Sequence, residues 1–214
     1  RQRRPASDCS TPKAKAWPKV DEVSCISARL PARGGARKAA SLTIDSPPAF
    51  VHAMPPEKLL IVWHSRTGAS EVMARSAAEG AGKAARLLHC DAAHATDFIA
   101  AAGYLFCCPE NLAALSGAMK EMFDRLYYPL LGQIEGRPYA TVIAAGSDGT
   151  GAQRQLDRIA TGWRLRRVAE PVIVNFAAQT PEAILARKIV TPENLRGSSE
   201  LGAAMAEGLI QGVF

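Results

Sequence analysis

The stretch LLIVWHSRTGAS, residues 59–70, decides the fold. It joins the apolar run LLIVW at 59–63 to a turn rich in hydroxyl groups, and a helical pattern with Met73 and Ala77 on its inner side follows over about 70–83. A continuous apolar run is typical of a parallel strand that is covered on both faces. The stretch therefore predicts a strand, a turn and a helix, in that order.

The same alternation continues along the chain. Further strands are predicted at 85–90, 103–108, 138–146 and 170–176. Further helices are predicted at 116–131, 151–163, 181–189 and 199–210, the first of them stopped by Pro129. Strands that alternate with helices across short connections indicate an α/β fold, a doubly wound five-stranded parallel sheet with helices on both faces.

The charge and the prolines separate an N-terminal region from the rest of the chain. Residues 1–57 hold 10 Lys/Arg, 5 Asp/Glu and 8 of the 14 prolines, which predicts a disordered basic extension. Residues 58–214 hold 16 Lys/Arg against 15 Asp/Glu, and this near-neutral domain argues against a nucleic-acid partner. Met54 stands just before the first strand, so we also consider it as the native start, with residues 1–53 as a gene-model artefact.

Cysteine usage and hydropathy restrict the setting of the protein. The five cysteines show no CxxC and no spacing typical of a metal site, which predicts a reduced, cytoplasmic protein without a metal. In HCDAAH at 89–94 the two histidines are five residues apart, a spacing that places them together on neither a helix face nor a strand face, so a metal site is not expected there. The adjacent Cys107 and Cys108 are interpreted as the end of a buried strand and not as a disulfide. No apolar run reaches the length of a membrane span, so no membrane partner is expected.

Three loops follow predicted strands and lead into predicted helices: SRTGAS at 65–70, PENLAALSG at 109–117 and GSDGTGA at 146–152. In doubly wound sheets, ligands bind beyond the carboxyl ends of the strands, where these loops lie. The first loop offers hydroxyl groups and a helix N-terminus, which suit a phosphate. The same residues also describe an ordinary turn, with Ser70 as the helix N-cap and Gly68 supplying the bend.

The three loops in this order resemble those of flavodoxin-like FMN proteins, and in particular the NAD(P)H-dependent FMN reductase and quinone reductase group. SRTGAS is similar to the Ser/Thr-x-Thr-Gly-x-Ser/Thr phosphate loop of that fold. The stretch after the second loop resembles the Ser-x-x-x-Lys-x-Phe-x-Asp-Arg helix of the group, with its phenylalanine one residue displaced at Phe123. AAGSDGTGA at 144–152 resembles the Gly-rich third flavin loop.

The resemblance implies FMN as the cofactor and assigns a set of binding residues. The residues that it places around the phosphate are Ser65, Arg66, Thr67, Gly68, Ala69 and Ser70. Those that it places along the flavin ring are Pro109, Glu110, Asn111 and Leu112. Those that it places at the other edge of the ring are Gly146, Ser147, Asp148 and Gly149. The flavin carries the chemistry in this group, so no side chain is expected to act as a catalytic acid or base. We expect the Glu110 carboxylate to face solvent.

The function implied by the resemblance is an FMN-dependent oxidoreductase that passes electrons from NAD(P)H to a quinone, flavin or similar small acceptor. Two alternatives stay open: a flavodoxin-type electron carrier, and a flavin-free scaffold domain of the same fold. The near-neutral domain weighs against the carrier, and the lack of an aromatic residue at Asn111 and Leu112 favours the scaffold. The apolar stretch FDRLYYPLLGQIEG at 123–136 is compatible with a homodimer.

Overall fold

A computed structural model describes residues 59–214. The predictions of a basic extension at 1–57 and of a start at Met54 lie outside these residues, as do Cys9 and Cys25. The strands are β1 Leu59–Trp63, β2 Ala85–His89, β3 Gly103–Asn111, β4 Ala114–Leu115, β5 Pro138–Ala145, β6 Arg166–Arg167 and β7 Val172–Asn175. The α-helices are α1 Ala69–Ala81, α2 Ala95–Ala100, α3 Gly117–Leu130, α4 Thr150–Gly162, α5 Pro181–Leu185 and α6 Pro192–Gln211.

The sheet has the doubly wound parallel arrangement that the sequence predicts. Its strand order is β2-β1-β3-β5, and both β6 and β7 pair in parallel with β5. Because β1 lies between β2 and β3, the connections out of β1 and β3 diverge to opposite faces at their carboxyl ends. This divergence opens a crevice between the loops that follow β1 and β3.

The two faces of the sheet have different cores. On the face covered by α2, α3 and α4, the core is aromatic, with Phe98, Phe106, Phe123 and Trp163 buried together. On the face covered by α1 and α6, the core consists mainly of aliphatic, alanine and methionine side chains. In α3, Met119, Met122, Phe123 and Leu126 recur at helical spacing, and all four are at most 4% exposed, as expected for the inner face of an amphipathic helix.

Several features differ from the sequence prediction, among them the unpredicted short strand β6 and the start of α6 at Pro192 instead of 199. The helix α2 was not predicted, because six residues are too few to show a helical period. The short strand β4 folds back on β3 as an antiparallel hairpin within the second loop. Finally, α3 continues through Pro129 to Leu130, since a proline in the last turn removes only one backbone hydrogen bond.

The helices α1 and α6 pack with their backbones almost in contact. A Cβ atom added to Gly202 would lie 2.0 Å from the Ala77 carbonyl oxygen, and one added to Gly80 would lie 2.1 Å from that of Ser199. Glycine at both positions therefore permits the close approach. Within residues 59–214, α6 is the longest helix, with 20 residues, and no helix of this part of the chain is long and apolar enough to cross a bilayer.

Cys107 and Cys108 give a test of this core. Both thiols are free and fully buried, and burial raises the pKa of Cys108 to about 12 and that of Cys107 well above its ordinary value. We expect iodoacetamide to leave both unmodified in the native protein from about pH 7 to about pH 10, because a buried, protonated thiol is a poor nucleophile. Mass mapping of the labelled sites with and without urea measures this, and labelling of either thiol at the unfolded rate would contradict the packing.

Candidate functional site

The first loop turns the chain from β1 into α1. Gly68 occupies the N-cap position with φ of 89°, a conformation that favours glycine, and its N–H donates to the Ser65 hydroxyl oxygen at 3.0 Å. The helix therefore starts at Ala69, and Ser70 lies inside its first turn instead of capping it. The Ser70 hydroxyl is fully buried and has no hydrogen-bond partner among residues 59–214.

The second loop is anchored to the third by Glu110. Its carboxylate accepts hydrogen bonds from the backbone N–H groups of Gly149 at 2.8 Å, Gly151 at 3.1 Å and Ala152 at 3.2 Å. The carboxylate thus neutralises the positive N-terminus of α4. The expectation that Glu110 faces solvent was wrong, because the short β3–β4 hairpin brings it against this helix.

Removal of the Glu110 carboxylate tests the anchor. In Glu110→Ala, three N–H groups lose their shared acceptor, so we expect the free energy of unfolding to fall by about 2 kcal/mol. Urea unfolding without ligand measures the loss. Glu170→Ala is the matched control, because Glu170 is exposed and forms no ion pair within residues 59–214, and it should change the stability by less than about 0.5 kcal/mol. Equal losses in the two variants would contradict the anchor.

The hairpin that presents Glu110 contains two strained residues. Leu112 and Ala113 have φ of 53° and 57°, as in the type I′ turn that usually holds asparagine and glycine. Ala113 also fits closely against α4, since a Cβ atom on Gly151 would lie 2.4 Å from its carbonyl oxygen. Leu112 is fully exposed at the tip of the turn. The Glu110 anchor and this close packing hold the turn in place.

The third loop faces the site mainly through its first residue. Gly146 lies beside the segment that follows β7, and its carbonyl accepts a hydrogen bond from Ala178 N–H at 2.7 Å. Ser147 and Asp148 are exposed, while Gly149 is buried and donates to Glu110. The Gly149 N–H is therefore already engaged within the protein.

A segment after β7, residues 176–190, crosses back over the first loop; we call it the strap. The N–H of Lys188 donates to the Thr67 carbonyl at 2.9 Å. The Lys188 ammonium group binds the carbonyl groups of Ala183, Ile184 and Ala186 at the end of α5. The strap is thus fastened both to the first loop and to itself.

The three loops and the strap enclose a cleft of about 350 Å³. Its apolar wall includes Ala144, Ala145, Phe176, Ala178, Ile184 and Leu185, and its polar lining includes Arg66, Thr67, Glu110, Asn111 and Lys188. A volume in this range with an apolar wall and a few polar groups is typical of a small-molecule site. A second recess of about 330 Å³ adjoins the first loop and is lined by Ser65, Arg66, Thr67, Gly68, Glu71, Leu185 and Arg187.

Most of the residues assigned from the sequence surround these two spaces. Arg66, Thr67, Ala69, Pro109, Glu110, Asn111 and Gly146 line the cleft, and Ser65 and Gly68 line the recess. Ser70, Leu112, Ser147, Asp148 and Gly149 line neither of these two spaces. The strap and Phe176 were not predicted as part of the site, although Phe176 is the last residue of the strand predicted at 170–176 and stands at the carboxyl end where ligands bind.

The HCDAAH stretch lies at the same end of the sheet, beside the first loop. The ligand atoms of His89, Cys90 and Asp91 fall within 4.8 Å of one another, and the His64 ring lies 5.8 Å from that of His89. Burial, followed by the neighbouring His89, lowers the pKa of His64. A Cys90–Asp91 hydrogen bond at 3.4 Å already links two of these groups.

Comparison with known proteins gives one family match and one curated relative. The family described as NADPH-dependent FMN reductase matches residues 65–179. A flavodoxin from Aquifex aeolicus (strain VF5) is 35% identical over 98 residues, which are 44% of this chain and 53% of the relative. The chain therefore spans about half the length of this curated relative.

Solved structures share the fold at low sequence identity. A WrbA-like flavodoxin from Agrobacterium tumefaciens superposes with a TM-score of 0.59 at 18% identity, over 72% of this chain and 98% of its own. A flavodoxin from the domain Archaea superposes with a TM-score of 0.58 at 14% identity, over 71% of this chain and 98% of its own. The flavodiiron protein of Giardia intestinalis gives 0.58 at 17% identity, over 72% of this chain and 36% of its own. These similarities establish the flavodoxin-like fold.

Proposed function

Because the chain belongs to the NADPH-dependent FMN reductase family, we propose that it binds FMN in the cleft and passes electrons from NAD(P)H to a quinone, flavin or similar small acceptor. The observation that carries the proposal is the joining of the phosphate-type loop at 65–70 to an apolar-walled cleft of about 350 Å³. Both lie at the carboxyl ends of β1, β3 and β5, where this fold binds ligands.

The residues present fit a flavin mononucleotide. The apolar wall with Phe176 suits a flat aromatic ring system, and the mouth of the cleft at Arg66 and Thr67 suits an anion. The buried Ser70 hydroxyl in the first turn of α1 has no partner within residues 59–214, which leaves an unsatisfied donor next to the helix N-terminus at which a phosphate would bind. The aromatic side chain absent from the second loop is thus provided by the strap.

The role of the protein residues is to bind and to position. Residues 65–70 hold the phosphate through N–H and hydroxyl donors, with Arg66 contributing positive charge. Pro109, Asn111 and the apolar wall position the ring and exclude water from its face. The chemistry that bound FMN would supply is hydride transfer from NAD(P)H and electron transfer to the acceptor. The Glu110 anchor keeps the second and third loops at a fixed separation for this purpose.

The same proposal covers partners and setting. The near-neutral charge of residues 58–214 supports a small-molecule acceptor and no nucleic acid. Tyr128 and Leu131, exposed at 80% and 53% near the end of α3, support a homodimer. The buried free thiols support a reducing, cytoplasmic compartment.

An absorbance titration tests the proposal. The full chain is titrated with FMN, then NADPH is added without oxygen, and air is admitted last. We expect a bound flavin spectrum that bleaches with NADPH and recovers in air. Absence of FMN binding would overturn the proposal and support the flavin-free scaffold.

A second candidate function is a flavodoxin-type electron carrier, because the curated relative is named flavodoxin. A carrier docks on protein partners through complementary charge, which a nearly neutral domain supplies poorly. FMN binding without bleaching by either NADPH or NADH would favour the carrier.

A further inference from the structure

Arg187 lies against the phosphate-type loop although it is distant from it in sequence. A Cβ atom built on Gly68 would lie 3.6 Å from both Cγ and Nε of Arg187, so the side chain runs along the loop at the N-cap of α1. The hydrogen bond from Lys188 N–H to the Thr67 carbonyl fixes the backbone next to it. The fold therefore sets the backbone position of Arg187, and its exposed side chain lies along the loop.

Arg66 and Arg187 both line the recess beside this loop. Within residues 59–214, neither guanidinium group forms an ion pair or a hydrogen bond with another side chain, whereas seven other arginine or lysine residues form ion pairs. Glu71 also lines the recess, but it pairs with Arg75 at 2.9 Å. The loop thus has two uncompensated positive charges next to a helix N-terminus that carries positive charge of its own.

We propose that Arg187 is a phosphate-binding residue, which with Arg66 completes the site formed by residues 65–70 and selects a phosphate monoester. This inference rests on the proposed function and names the part of FMN that the strap recognises. A phosphate monoester carries up to two negative charges, which two guanidinium groups neutralise. The strap therefore serves both as a wall of the cleft and as a source of the second cation.

A comparison of FMN with riboflavin isolates the phosphate, because riboflavin has the same ring system and no phosphate. Fluorescence titration of the full chain with each flavin gives two dissociation constants. We expect Arg187→Gln to weaken FMN binding about 10-fold and to leave riboflavin binding unchanged. Arg187→Lys keeps the charge, and its affinity for FMN should lie between those of the unchanged protein and Arg187→Gln, since an ammonium group lacks the planar fork of donors of a guanidinium group.

Arg196→Gln is the matched control. Arg196 is an exposed arginine on α6 that pairs with Glu200 at 3.7 Å, so its loss removes the same charge away from the loop. We expect Arg196→Gln to keep the ratio of the FMN and riboflavin dissociation constants within twofold of its value in the unchanged protein. An Arg187→Gln variant whose ratio also stays within twofold, or which binds both flavins equally less well, would overturn the assignment.

Two further outcomes separate the possible failures. No FMN binding by the unchanged chain would overturn the proposed function and the role of Arg187 with it. An unchanged flavin ratio in Arg187→Gln, together with a higher KM for NADPH relative to NADH, would place Arg187 at the 2′-phosphate of the nucleotide and overturn its assignment to FMN. If Arg187→Gln loses its preference for FMN over riboflavin while NADPH still bleaches its bound FMN, both the proposed function and the role of Arg187 are supported.

Discussion

Replacing Thr67 with glutamate is expected to weaken FMN binding by at least about 100-fold, because a carboxylate placed beside a phosphate repels it by several kcal/mol at a partly exposed site. Thr67 lines both the cleft and the recess, so the added charge cannot avoid the anion. Riboflavin carries no phosphate and should lose less than about 10-fold, a loss that reflects only the added bulk. Parallel titrations with the two flavins measure both effects.

The control for this prediction carries the same substitution elsewhere. Thr96→Glu adds an identical charge to the exposed first turn of α2, where a carboxylate is tolerated, and should leave both flavin affinities unchanged. The Thr67 hydroxyl has no hydrogen-bond partner within residues 59–214, so Thr67→Glu should unfold at a urea concentration close to that of the unchanged protein. A Thr67→Glu variant that retained FMN would show that the phosphate lies outside this loop.

Adding one methyl group to Gly202 is expected to lower the free energy of unfolding by about 3 kcal/mol. The new Cβ atom would lie 2.0 Å from the Ala77 carbonyl oxygen, and the obstacle is backbone, which cannot rotate away. The helices α1 and α6 must then separate, which opens their shared apolar interface and costs overpacking strain. Urea unfolding of Gly202→Ala, followed by circular dichroism, measures the loss.

Gly197 provides the opposite result on the same helix. A Cβ atom at this position meets nothing within 4 Å, so Gly197→Ala gains helix propensity without a clash. We expect it to raise the free energy of unfolding by about 0.5–1 kcal/mol. The same substitution should therefore change stability in opposite directions at two positions of α6. A loss of similar size in both variants would contradict the packing of α6 on α1.

The parts of the fold that the sequence predicts are those whose signal is local. LLIVW at 59–63 became β1 without a change of boundary, because an apolar run between polar turns has one stable placement in a covered sheet. The helix α2 was not predicted because it is too short to show a helical period. It does have a capping interaction at its N-terminus, where the Asp97 carboxylate accepts a hydrogen bond from the His94 N–H at 2.9 Å. The hairpin turn escaped because Leu112 and Ala113 are not residues that usually adopt positive φ.

The site depends even more than the fold on contacts between segments that are distant in sequence. Loop sequences placed Thr67, Pro109 and Gly146 at one end of the sheet, because parallel strands share a carboxyl edge. No local pattern indicates that Arg187 returns to Gly68, since that contact depends on the direction in which the chain leaves β7. Glu110 is a similar case, because its three partners lie in the third loop and the first turn of α4, 39 to 42 residues away in sequence. Contacts between distant segments decide the electrostatics of the cleft, and a single sequence does not contain them.

The late position of the strap has a consequence for how the protein is made. Translation delivers the loop at 65–70 before the strap that covers it, residues 176–190. The helix α6, which packs on α1, emerges later still. A nascent chain that has exposed only β1 to β5 thus has the floor of the cleft without its cover, and α1 without its partner helix. We therefore expect a ligand to be loaded only after residues 176–190 have been synthesised.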